Sequence, residues 1–225
     1  MKIKLPKTPS HPLQDKTIVL AGSQGLIGRT LFQVLNSLDA AVIPADINAA
    51  IPYNLRNEYD ISRLLDYDPD VFINAAYPPA ISDHLFCFLD TAEAFADHMA
   101  THSGGSIVLF SSIYAKVGPD YRSYSGTDMD AAAAYSAVKG AINAAVRTLA
   151  TKYAHAGVRA NSIVAGGVSD NQPYSFVEDY NRRTPMGRMA RPEDFVGPVV
   201  FLADGTQSGY ITGQNLVVDG GLTIW

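Results

Sequence analysis

Cysteine is almost missing: the 225-residue chain has one, Cys87, so no disulfide can form within it. A lone thiol excludes the disulfide-stapled secreted class and fits a reducing compartment. Positive charge is also in short supply, with 17 Lys and Arg against 22 Asp and Glu and a net charge of −5. That balance leaves no electrostatic footprint for nucleic acid or an anionic lipid surface. No apolar run reaches the length that spans a bilayer. The opening MKIKLPKTPSHPLQDK is basic but has no apolar stretch of the signal-peptide kind. A cytoplasmic protein with no membrane and no nucleic-acid partner is expected.

What is present is an ordinary globular composition, 47% hydrophobic and 17% charged, in a chain long enough to bury one sizeable core. Residues 1–16, rich in proline and without periodicity, read as an N-terminal arm, and a single domain fills 17–225. Strand-like runs (TIVLAG, AAVIPADI, VFINAAY, SIVLFSSI, VRANSIVAGG, QNLVVDGG) alternate with helical patterns. Those patterns are LIGRTLFQVLNSL, HLFCFLDTAEAFADHM, residues 130–155 and RPEDFVGPVVFLADG. The alternation predicts an α/β fold, a Rossmann-type doubly wound parallel sheet covered on both faces.

The first strand opens onto Gly22-Ser23-Gln24-Gly25-Leu26-Ile27-Gly28 and then a helix, the context in which a glycine motif carries chemistry. Gly22 permits a tight turn, Gly25 a close approach to a pyrophosphate, and Gly28 close packing of helix on strand. Gln24, Leu26 and Ile27 belong to the same run, at a helix start whose free amides and dipole favour phosphate. Asp46 ends the second strand, where a carboxylate accepts both ribose hydroxyls of NAD and repels a 2′-phosphate. No Arg or Lys lies between Ala40 and Leu55, so NAD is expected over NADP. Asn54 and Leu55 end a short extended stretch where an adenine ring has room. Asn74-Ala75-Ala76 ends the next strand beside the dinucleotide crevice. Asn74 can serve a ligand or make only a strand-end hydrogen bond.

Tyr135 and Lys139 sit four apart in AAAAYSAVKGAINAAVRTLA and so share one helical face. An ammonium beside a phenol favours the phenolate and lowers its pKa, which suits general acid–base work near neutrality. The histidines His98, His102 and His155 show no ligand spacing with Cys87 or one another, and no metal is expected.

In order along the chain stand the glycine run, Asp46, Asn74-Ala75-Ala76, Ser111-Ser112, Tyr135-x-x-x-Lys139 and ARPEDFVGPVVFLAD…YITGQNLVVDGG. With these, residues 17–225 resemble the short-chain dehydrogenase/reductase family, and the C-terminal stretch resembles its single-domain branch. The Gly-x-x-Gly-x-x-Gly spacing and DPDVFINAAYPP resemble instead the branch that reduces nucleotide-linked keto sugars.

The resemblance implies a hydride transfer between a nicotinamide cofactor and a hydroxyl or carbonyl substrate. Tyr135 is then the general acid/base, and Lys139 binds the nicotinamide ribose. Ser112 holds the substrate oxygen, with Ser111 as the alternative. Gly166 and the Val168 backbone would face the nicotinamide amide, although Ala165 and Asp170 depart from the family pattern there. His84 stands where the single-domain branch keeps a proton-relay Asn. The insert VGPDYRSYSGTDMD resembles enzymes of bacterial surface-sugar and flagellin-glycan pathways, which implies a small-molecule substrate such as a sugar derivative. Residues 169–190 are expected to form a substrate lid, in which Arg182 and Arg183 either meet an anionic substrate or face solvent. Ala141, Ala144 and Ala145 offer a small-residue helix face through which relatives pair, implying a homodimer or homotetramer. Two rival readings are an epimerase or keto-reductase acting on a sugar or nucleotide-sugar, and a cofactor-binding regulatory protein with a vestigial site.

Overall fold

The computed structural model describes residues 11–78, 80, 83 and 85–225. Six strands alternate with helices: β1 Thr17–Ala21, β2 Ala41–Ala45, β3 Val71–Asn74, β4 Gly105–Ser112, β5 Val158–Ala165 and β6 Asn215–Val218. The main helices are α1 Leu26–Ser37, α2 Glu58–Leu65, α3 Thr91–Ala100, α4 Ala133–Tyr153, α5 Tyr174–Arg183 and α6 Val196–Ala203. All strand pairs are parallel, in the order β2-β1-β3-β4-β5-β6. The chain moves outward from β1 to β2 and then returns across β1 to β3. That reversal leaves a crevice between the carboxyl ends of β1 and β3, where doubly wound sheets bind their ligands.

Alternation along each strand divides the core between the two faces of the sheet. In β1, Ile18 and Leu20 join Leu31 and Leu35 of α1 and Val199 and Leu202 of α6. Val19 and Ala21 join the opposite layer, with Phe95 of α3 and Ile142 and Val146 of α4. Phe72 of β3 stacks on Phe95 at 4.0 Å between ring centroids. Pro44 is tolerated in β2 because β2 is an edge strand and a missing N–H there need not break a ladder.

The structure departs from the sequence expectation in several places. Residues 11–16 are not a free arm: Leu13 is fully buried in the α1/α6 layer, and Lys16 Nζ lies 2.7 Å from Asp70. Residues 1–10 lie outside the described residues. No strand forms around Asn54 and Leu55; that stretch is irregular and runs into α2, whose first turn is capped by the Asn57 side chain. A π-helical turn, Phe86–Asp90, leads into α3. The expected lid contains the regular helix α5, which buries only Phe176 and Tyr180. Such a narrow apolar stripe gives a weak periodic signal. No helix among the described residues is long and apolar enough to cross a membrane.

Candidate active site

The crevice opens into a cleft of about 930 Å³ along the carboxyl ends of β1 to β5. At one end lies the glycine turn. Gly22 has φ +76, and a Cβ on it would sit 2.6 Å from the Ala76 backbone, so β1 and β3 approach this closely only with glycine there. A Cβ on Gly28 would sit 1.9 Å from the Gly22 carbonyl oxygen. Gly28 therefore sets the seat of α1 on β1 and does not itself line the cleft. Gly22, Gln24, Gly25, Leu26 and Ile27 do line it. Gly25 is the N-cap of α1 and provides no side-chain cap, and the first turn carries no acidic residue. The opening amides of a helix lack intrahelical partners, so this turn offers donors and a positive dipole end to an anion.

Asp46, just past β2, faces the same end of the cleft. Its carboxylate accepts the Gln24 amide at 3.0 Å and the Asn48 amide at 2.9 Å. These bonds clamp it beside the glycine turn and leave lone pairs for a ligand hydroxyl. Asn54, Leu55, Ala75 and Ala76 line the cleft nearby. Asn74 does not. It is fully buried; its Nδ2 donates to the Cys87 carbonyl at 2.6 Å and its Oδ1 accepts the Ala76 amide at 3.1 Å. Of the two readings open for Asn74, the structure carries the strand-end one: it ties β3 to the π-helical turn. Burial pushes the neighbouring Cys87 thiol up to about 11, so the thiol stays protonated and unreactive.

At the other end Ser112, Tyr135 and Lys139 converge. Ser112 closes β4, its Oγ accepts the Tyr114 amide at 3.2 Å, and its hydroxyl lies beside Tyr135, whose pKa it lowers. Ser111 points elsewhere, donating to the Lys139 carbonyl at 2.9 Å and fastening β4 to α4. Of the two serines, both of which line the cleft, Ser112 is the one whose hydroxyl lies beside Tyr135. Lys139 is 3% exposed; its Nζ donates to the Phe110 carbonyl at 3.0 Å and lies 4.4 Å from the Phe88 ring centre and 5.6 Å from that of Tyr135.

Burial pulls the Lys139 ammonium down to about 8. The expected lowering of the phenol is not met: burial raises Tyr135, and the neighbouring Ser112 hydroxyl only partly opposes it. The physical reason is geometric. Lys139 directs its ammonium at a backbone carbonyl, and the phenol is enclosed by Tyr77 at 6.1 Å and Tyr114 at 6.4 Å between ring centres.

Beyond Tyr135 the wall is aromatic: Tyr77, Tyr114, Tyr124, Phe176 and Tyr180, with Met129 and Met189. Tyr114 and Tyr124 join hydroxyl to hydroxyl, and the Tyr180 hydroxyl accepts the Gly167 amide at 2.5 Å. The insert and the lid pack on each other, Ser123 Oγ donating to Asp179 at 2.5 Å and Phe176 meeting Tyr124 edge-on at 5.2 Å. Sequence reasoning assigned none of these aromatics individually. The available signal was position, since Tyr77 and Tyr114 each follow a strand end. Arg182 pairs with Asp179, and Arg183 with Asp120 at 3.3 Å, so neither is held out for a substrate anion.

Ala165, Gly166, Val168 and Asp170 all line the cleft. The Val168 carbonyl accepts the Gln172 side chain at 2.7 Å and keeps a second lone pair. His84 lies outside the described residues. The reading that the other histidines lack ligand spacing is corrected in part: His98, His102 and Asp68 come together at the far edge of the sheet, whereas His155 stands apart.

Residues 74–223 match the family model described as enoyl-(acyl carrier protein) reductase. A short chain dehydrogenase from Leptospira borgpetersenii, solved with bound NAD+, superposes with a TM-score of 0.82. It shares 28% identity, over 99% of this chain and 98% of that one. Post-translational flagellin modification protein A of Campylobacter coli is 28% identical over 93% of this chain and 98% of its own length. L-rhamnose 1-dehydrogenase (NAD(P)(+)) of a Sphingomonas species is 34% identical, over 54% of this chain and 46% of its own. The chain belongs to the short-chain dehydrogenase/reductase family. It is an NAD(P)-dependent oxidoreductase acting on a small molecule.

Proposed function

We propose that the chain interconverts a hydroxyl and a carbonyl group on a small, uncharged, polyhydroxylated substrate, with NAD favoured over NADP. The observation that carries this reading is the convergence of Ser112, Tyr135 and the buried Lys139 ammonium on one end of the cleft.

The glycine turn fits a dinucleotide, since side chains at Gly22 and Gly28 would close the approach and the first amides of α1 face the cleft uncapped. Gly22, Gln24, Gly25, Leu26 and Ile27 would hold the pyrophosphate, with Gly28 setting the turn. Asp46 would accept the adenosine ribose hydroxyls, and Asn54, Leu55, Ala75 and Ala76 would border the adenine. Gly166 and Val168 would border the nicotinamide. When bound, the nicotinamide supplies the hydride acceptor or donor. Ser112 holds the substrate oxygen by its hydroxyl. Tyr135 gives that oxygen a proton in reduction and takes it back in oxidation, while Lys139 holds the ribose.

The substrate class follows from the wall. Aromatic faces with paired hydroxyls suit a ring bearing both C–H and O–H groups. Among the described lining residues the cations are Arg56 and Lys139, and Arg56 is bound to Asp83 at 3.1 Å. An anionic substrate would meet no uncommitted guanidinium there. The relative named for L-rhamnose acts on a neutral sugar of this kind. The lid 169–190 would close over it. The small face of α4, with Ala144 exposed and Ala141 and Ala145 half-buried, is where two copies would pair in a cytoplasmic dimer or tetramer.

Turnover of NAD+ or NADH against a panel of neutral sugars, polyols and their keto forms tests the reading, with Tyr135→Phe as control. Loss of the phenol should lower kcat about 10²- to 10⁴-fold with folding intact. Equal turnover in Tyr135→Phe would remove Tyr135 from the chemistry. Preference for carboxylated substrates would remove the substrate assignment alone.

A further inference from the structure

We propose that Asp68, His98 and His102 form a binding site for a zinc-class divalent ion at the amino edge of the sheet. It lies about 25 Å, the length of β4, from the reacting groups. His98 and His102 are four apart at the carboxyl end of α3, and their rings stack at 4.1 Å with 17° between planes. His102 lies two residues past α3, and the stacked rings hold their nitrogens side by side outside the helix, where a rotation of one ring aims both at a shared ion.

Asp68 comes from the turn between α2 and β3 and is held with φ 50. It brings its Oδ1 to 3.2 Å from His98 Nε2. One ligand atom from each of the three residues lies within 4.8 Å of the other two. Tetrahedral ligands about 2.0–2.2 Å from a shared zinc ion are about 3.3–3.6 Å apart, so side-chain rotations that move a ligand atom by about 1 Å close the set.

Two further features favour a cation. The His102 Nδ1 lies 2.8 Å from the His98 carbonyl. As donor in that bond it leaves Nε2 with its lone pair free, the outer contact that ligating histidines ordinarily make. The carboxyl end of α3 also carries the negative end of the helix dipole. Two imidazole nitrogens and one carboxylate suit Zn2+, Co2+, Ni2+ or Cu2+ and not the all-oxygen preference of Mg2+ and Ca2+. With three protein ligands the fourth tetrahedral position falls to water.

The test uses the full chain, stripped with chelator and titrated with Zn2+ by equilibrium dialysis. Co2+ is followed in parallel by its visible absorption. One Zn2+ per chain is expected, with Co2+ bands of a nitrogen–oxygen site. His98→Gln, His102→Gln and Asp68→Asn should each weaken Zn2+ at least about tenfold. Asp68 and His102 are exposed and His98 is half-buried, and circular dichroism verifies that each variant is folded. Absence of stoichiometric binding would overturn the proposal. So would binding that survives the double variant His98→Gln/His102→Gln, since the ion would then sit on other groups.

Discussion

Lys139 is 3% exposed, and burial takes its pKa from 10.5 to about 8. In the unfolded chain the ammonium regains water and its ordinary proton affinity. At pH 7 the native state therefore holds this proton less tightly than the unfolded state does, and is destabilised. A fall from 10.5 to about 8 corresponds to about 3 kcal/mol. Lys139→Met keeps the aliphatic stem and removes the charge, at the loss of the 3.0 Å bond to the Phe110 carbonyl. With that bond worth about 1–2 kcal/mol, the variant should gain about 1–2 kcal/mol at pH 7. The pH dependence has a definite sign. Between pH 8 and 10.5 the unfolded wild-type chain binds more protons at this residue, so wild-type stability rises with pH across that window. The methionine variant lacks that rise, so its advantage should vanish near about pH 9.5 and the wild type should be the more stable at pH 10.5, where only the bond to the Phe110 carbonyl still separates them. Urea unfolding of both proteins without dinucleotide, at pH 7 and near pH 10, measures the difference. Turnover by the variant should fall at least about 10²-fold, the usual trade between a strained site and stability. A variant less stable than wild type at pH 7, or parallel stabilities from pH 8 to 10.5, would refute the assignment of a costly buried ammonium.

Three further outcomes are expected. Asp46→Ala should raise KM for NAD about 10- to 100-fold, as loss of a charged hydrogen bond implies, and shift the NADP/NAD preference upward; an unchanged ratio removes Asp46 from the cofactor site. Gly28→Ala places a methyl 1.9 Å from the Gly22 carbonyl oxygen and should cost roughly 1–3 kcal/mol in urea unfolding and abolish dinucleotide binding; normal NAD titration would contradict the close seat of α1. Tyr114→Phe removes one hydroxyl of the Tyr114–Tyr124 pair and should cost about 1 kcal/mol, a Tm loss of about 2–4 °C. In the same variant KM should rise for substrate but not for NAD, and a rise in both would place Tyr114 outside the substrate wall.

The alternating strands and helices, the glycine turn, Asp46 and the Tyr135/Lys139 pairing were legible in the amino-acid order because each rests on local rules. Strand and helix periods are short, a turn needs glycine within a few residues, and an i,i+4 pair needs only a helix. The helix α5 escaped because its few apolar positions left hardly any stripe to detect. Leu13 escaped because burial in the α1/α6 layer depends on partners distant in sequence.

What three-dimensional packing alone decided is every relation across the chain. It chose Ser112 over Ser111, because only the path of β4 past α4 sets which hydroxyl meets the phenol. It turned Asn74 inward to the Cys87 carbonyl. It made burial, not the neighbouring ammonium, dominate the Tyr135 phenol, since desolvation is a property of everything that surrounds a group. It also brought Asp68 to His98 and His102, residues 30 or more apart in sequence. Local order settles which elements form. Shared burial settles what each side chain finally touches.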